Sequence, residues 1–251
     1  FLAMAELERM GAFDRPYICV YSATGSGYVN YVAAETVEFL TGGNCAGVCI
    51  QYSVRPSFLS LDRVGTAWES TLALLTALAW RIRSMPEGRR PKVLLFGESL
   101  GSQAAQDVFE KEGVHGFEIL GIERALFVGT PYASKWRQQW LRDPAGMDPN
   151  GVVVEVDSPR AYQDLPEFRR RSARAILLTH GDDPIPKFGA RLAIQRPPWL
   201  DDSSPRQRGV PADMRFWPLF TFLLVGIDLL NADHVVPGKF DALAIQVQRL
   251  R

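Results

Sequence analysis

Short apolar runs alternate with helix-patterned stretches along most of the chain, and this alternation restricts the fold more than any other feature. "YICVYS" (17–22), "AGVCIQYS" (46–53), "KVLLF" (92–96), "RALFVGT" (124–130) and "AILLTH" (175–180) read as strands. Helical patterns lie around them: "LAMAELERM", ending at Gly11, "NYVAAETVEFL", closed by Gly42 and Gly43, residues 63–84, stopping before Pro86, "SQAAQDVFEKEG", closed by Gly113, and "SKWRQQWL". Apolar runs that lack a polar face, separated by helices, suit parallel strands covered on both sides. The predicted class is therefore α/β, with a mainly parallel central sheet, helices on both faces and one domain over 1–251. A chain of 251 residues buries roughly three quarters of its unfolded surface, which is enough core without disulfide or metal staples.

Residues 196–215, with "DDSSPRQRG", interrupt the alternation and read as a candidate cap, within an inserted region around 185–230. The stretch "FWPLFTFLLVGIDLL" (216–230) reads first as a buried helix, and alternatively as an apolar wall of that cap. It is shorter than the roughly 20 residues a membrane span needs and holds Pro218 and Asp228. The 28 basic and 28 acidic residues cancel, which removes the electrostatic case for nucleic acid. Three cysteines and three scattered histidines offer no zinc spacing, and an odd cysteine count argues against a disulfide framework. Cys19 and Cys49 lie in runs that read as buried strands. No metal or cofactor is expected.

The chemistry concentrates at "FGESLGSQAA" (96–105). Strand Val93–Phe96 runs into Gly-x-Ser-x-Gly, with Gly97 and Gly101 on either side of Ser99 and small residues opening the next helix. A nucleophile elbow needs this context, because strand and helix backbones nearly touch at the turn and the helix amino terminus favours negative charge. A serine hydroxyl is a weak nucleophile and needs a base and an acid, which α/β-hydrolases place after the serine in the order acid, then histidine. "AILLTHGDDPIP" supplies Asp182 and Asp183 in a loop after a late strand, with Asp183, directly before "PI", preferred. His115 and His180 both precede that acid, which leaves His234, in "NADHVVPGKF", as the histidine in the expected order. An oxyanion hole needs two backbone N–H groups. Leu100 offers one, and the loop after "YICVY", through Thr24, Gly25, Ser26 or Gly27, offers the second. That loop lacks the Gly-Lys-Ser/Thr ending of a phosphate-binding loop.

Taken together, "ELERMGAFDR", "TGSGYVN", "VCIQYS", "GESLGS", "FVGTPYASKW", "HGDDPIPKF", "RPPWL" and "MRFWPLFTF" make the chain resemble a bacterial family of α/β-hydrolase-fold domains that follow a multi-spanning membrane segment. The resemblance implies a serine-hydrolase domain with Ser99 and Asp183 on matching positions, in a natural protein tethered to a membrane before Phe1. The family carries histidine after a Pro-Gly near the carboxyl end, where this chain has Lys239 in "VPGKFDAL". Either His234 serves as base, or this member has lost it. The function expected is hydrolysis of a small acyl or lipid-like ester through an acyl-enzyme. An acyltransferase with the same triad and an inactive binding domain stand as the alternatives.

Overall fold

The computed structural model describes residues 2–24, 27–52, 64–201 and 210–231. Gly25, Ser26, His234 and Lys239 lie outside the described residues, as do residues 202–209 of the irregular stretch 196–215. Among the described residues six strands form one sheet: β1 (Tyr17–Ser22), β2 (Cys45–Ile50), β3 (Lys92–Glu98), β4 (Ile122–Val128), β5 (Val153–Val156) and β6 (Ala175–Leu178). Their spatial order is β2-β1-β3-β4-β6-β5, and every pairing is parallel. The helices are α1 (Leu2–Arg9), α2 (Tyr31–Leu40), α3 (Val64–Arg83), α4 (Leu100–Asp107), α5 (His115–Ile119), α6 (Lys135–Arg142), α7 (Pro144–Met147), α8 (Pro159–Gln163), α9 (Glu167–Ser172) and α10 (Phe220–Asn231).

Parallel strands need crossovers, and the alternation in sequence supplies them. The main core fills between the sheet and the helices over one face. There α3 contributes Leu74, Leu75, Leu78 and Ile82, and α6 contributes the fully buried Trp136. Phe109 and Phe117 stack with ring centroids 4.3 Å apart, and Trp136 packs edge-on against Phe109. Each such side chain contributes about 1.5–3 kcal/mol of burial.

Four features depart from the sequence reading. The four-residue strand β5 is an addition; its Glu155 pairs with Arg137 of α6 at 2.6 Å. The helix after Ser99 stops at Asp107 rather than at Gly113, because the Asp107 carbonyl is shared between Trp68 Nε1 (2.8 Å) and the Glu110 amide (3.2 Å). Cys49 is exposed on β2, which among the described residues is an edge strand paired with β1 alone. Helix α10 is not a buried helix: Thr221 and Val225 face inward, while Leu223, Ile227 and Leu230 are 58%, 54% and 62% exposed.

Candidate active site

From β1 the chain steps outward to β2, and from β3 it steps the opposite way to β4. Loops leaving two neighbouring strands part at such a switch and open a crevice at the carboxyl ends of the strands. Ser22 of β1 is in register with Gly97 of β3, so Ala23 and Thr24 lie beside Glu98 and Ser99. The two sequence-predicted segments, elbow and oxyanion loop, therefore come together.

Ser99 has φ 53° and ψ −126° and precedes the first turn of α4. Among the described residues only Ser99 and Leu219 have positive φ without being glycine. Such a conformation costs on the order of 1–3 kcal/mol and persists only where its surroundings enforce it. Here the enforcement is visible. The Ser99 amide donates to Val128 O at 3.0 Å, and Ser99 O accepts from the Gln103 amide at 3.2 Å. A Cβ on Gly97 would stand 2.8 Å from both Gly101 O and Ser102 Cα, and one on Gly101 would overlap the carbonyl oxygens of Ser22 and Ala23. A serine at this helix position ordinarily caps the helix, yet the Ser99 side chain makes no cap bond. The hydroxyl is thus not committed to the helix, and the Leu100 amide is the first of α4.

Behind the elbow, α4 is anchored by polar groups. Ser102 Oγ and Thr130 Oγ1 lie 2.7 Å apart, and Gln106 Nε2 donates to both, at 3.2 and 2.7 Å. Ser134 Oγ donates to Gln106 Oε1 at 2.9 Å, while Asp107 Oδ1 accepts from the Lys135 amide at 2.9 Å. Helix α4 is thus bonded to the β4–α6 loop and to the start of α6. Burial holds the Asp107 carboxyl above its ordinary value, against the opposing bonds from α6. Sequence reasoning missed this network; its signal was "GTPYAS", a polar string directly after an apolar strand.

Asp183 lies in the turn after β6. Its amide donates to His180 O at 3.2 Å, and its Oδ1 accepts from the Ile185 amide at 2.8 Å. The other oxygen faces Gly129, just past the end of β4, where a Cβ would stand 3.1 Å from Oδ2. Gly129 follows Val128, the residue that accepts the Ser99 amide. The carboxylate and the elbow therefore share the carboxyl end of the sheet, whereas Asp182 is exposed. Burial is the main cause that raises the Asp183 carboxyl; the Ile185 amide, Lys187 and His180 oppose it, and Asp182 adds to it. Lys187 is buried, donates to Gly181 O and to Asp183 O (3.3 Å), and lies 5.9 Å from the Trp199 ring centroid.

The described histidines divide clearly. His115 is exposed on α5, bonded to Glu118 at 3.2 Å, on the segment that enters the amino end of β4. His180 stands beside Asp183, with a buried Nε2 that has no hydrogen-bond partner among the described residues. Thr24 and Gly27 are held in a tight loop: the Thr24 amide donates to Tyr28 O and the Gly27 amide to Thr24 O, both at 2.9 Å. Among the described residues no group of three or more His, Cys, Asp or Glu side chains could hold a metal. Nor is any described helix long and apolar enough to cross a membrane.

The sequence family described as "Alpha/beta-hydrolase family" matches residues 1–241. Among solved structures, an acetylxylan esterase determined at 0.90 Å resolution is similar at 14% identity, with 68% of this chain and 85% of that chain covered and a TM-score of 0.40. No curated protein matches the chain.

Proposed function

This chain belongs to the alpha/beta-hydrolase family, and within it we propose a serine hydrolase that cleaves carboxylic esters through a covalent acyl-enzyme. The observation that carries this reading is the backbone of Ser99, a non-glycine residue held at φ 53° by glycine-tight contacts and left without a capping bond. In the proposed reaction Ser99 Oγ attacks the ester carbonyl while His234 takes its proton. The oxyanion accepts from the Leu100 amide and from the Gly25 or Ser26 amide, since the Thr24 and Gly27 amides already donate within their own loop. Collapse expels the alcohol, which receives the proton from His234, and water repeats the sequence on the acyl-enzyme. Asp183 orients the imidazole; its place at the carboxyl end of β4 favours it over the exposed Asp182. A lipid-like acyl group suits the site, because the apolar helix α10 packs beside the acid loop through Phe222 and Phe188, with ring centroids 5.0 Å apart.

The test is fluorophosphonate labelling read by mass spectrometry, together with hydrolysis of an activated ester. Ser99→Ala and His234→Ala are expected to lose at least about a thousandfold in kcat, and adduct on the Ser99 peptide should vanish. A larger loss in His180→Gln than in His234→Ala would move the base to His180. Equal, slow hydrolysis by wild type and His234→Ala would instead favour the binding-domain reading. Added acceptor alcohols separate a hydrolase from an acyltransferase by their products.

Asp183 adds a second readout. A raised folded value means that the folded chain binds this proton more tightly than the unfolded chain does. Its contribution to stability is full below the unfolded carboxyl range and is lost as pH rises through the folded value. Asp183→Asn is therefore expected to lose about a thousandfold or more in kcat yet melt no lower than wild type at pH ~7.5, with that difference closing toward pH ~4. A catalytic carboxylate kept against stability behaves this way; a structural one does not.

A further inference from the structure

We infer that Glu98 is a positioning residue, which with Asn30 braces the loop after β1 against the elbow after β3. The inference rests on Ser99 being the nucleophile. Asn30 is buried, and its Nδ2 donates to both carboxylate oxygens of Glu98, at 3.3 and 3.2 Å. Its Oδ1 caps α2, accepting from the Val32 amide at 3.0 Å and the Ala33 amide at 3.4 Å. Both ends of the amide are thus committed, which fixes its orientation. Asn30 stands three residues past Gly27, at the end of a loop closed on itself by the Thr24 and Gly27 amides. Glu98 is the last residue of β3 and directly precedes Ser99.

One charge-assisted bond therefore spans the two loops that must keep a fixed spacing for an oxyanion to meet amides from both. The placement would otherwise be unfavourable. A carboxylate one residue from a nucleophile whose transition state is anionic slows the reaction by repulsion, unless what it holds in place outweighs that effect. A cap alone would require only Asn30, and nothing about capping calls for an acid at position 98.

The two functions of Asn30 can be separated. Asn30→Asp keeps an oxygen that caps α2 but removes the donor to Glu98 and sets two carboxylates together. Its kcat on an activated ester is expected to fall about tenfold to a hundredfold, with KM within about twofold; the cap survives, since aspartate caps as well as asparagine, and any drop in melting temperature comes from the two adjacent carboxylates. Glu98→Ala, which leaves the cap intact, is expected to lose kcat similarly. Combining Asn30→Asp with Glu98→Gln reverses donor and acceptor, and should recover most of the lost kcat. Hydrogen exchange of the peptide carrying Thr24 and Gly27 should quicken in both single variants and slow again in the double variant. Unchanged exchange and kcat in the single variants, or a folded double variant without recovery, would overturn the brace. If wild type neither labels nor hydrolyses, the hydrolase reading falls, and the exchange pattern alone decides whether Glu98 holds the loop.

Discussion

Helices α4 and α10 make opposite use of their residues. Of the eight residues of α4, four are Ser102, Gln103, Gln106 and Asp107, yet the whole helix is buried. Helix α10 has only Thr221, Asp228 and Asn231 as polar members among twelve, yet a stripe of Phe220, Leu223, Ile227 and Leu230 stays open. Hydropathy would have placed them the other way round. In α4 most of the buried polar side chains find partners across the β4–α6 loop, so burying them costs little. In α10 the helix lies beyond the last strand, packed through Phe222 against Phe188, with no second layer over its far side among the described residues. A helix that follows a strained turn needs fixed bonds more than it needs oil, and α4 has them.

The contrast is sharpest at Gly101. Gly101→Ala forces a methyl into the carbonyls of Ser22 and Ala23, where backbone on both sides must shift. It is expected to cost about 3 kcal/mol or more in denaturant unfolding and to abolish Ser99 labelling. Gln106→Ala comes next. It strips a partner from Ser102, Thr130 and Ser134 at once, for an expected loss of about 2–4 kcal/mol. At the small end, Leu223→Gln with Ile227→Gln on the open stripe should change stability by no more than about 0.5 kcal/mol. A loss above about 2 kcal/mol from that pair would break the comparison, by showing that the stripe is covered in solution.

Much of this organisation was legible in the sequence because it depends on local pattern. Strands β1, β3, β4 and β6 and the elbow follow from short apolar runs, small residues and glycine spacing, which act over a few positions. The four-residue β5 was not legible, because its pairing with β6 depends on register rather than on its own pattern. The Asn30–Glu98 bond was also out of reach: its partners are 68 positions apart, and only the neighbouring of β1 and β3 joins them. The end of α4 at Asp107 likewise depends on Trp68, from another helix.

By itself, the sequence determined the α/β class and the turn at Ser99 with its flanking small residues, since these follow from patterns a few positions long; the strain of that turn is enforced from afar, by Val128, Ser22 and Ala23. The tertiary structure alone decided which strand borders which, which carboxylate turns toward β4, and that a polar helix is buried while an apolar one is open. Those outcomes depend on hydrogen bonds and packing between segments far apart in the chain, whose partners only the assembled sheet brings within reach.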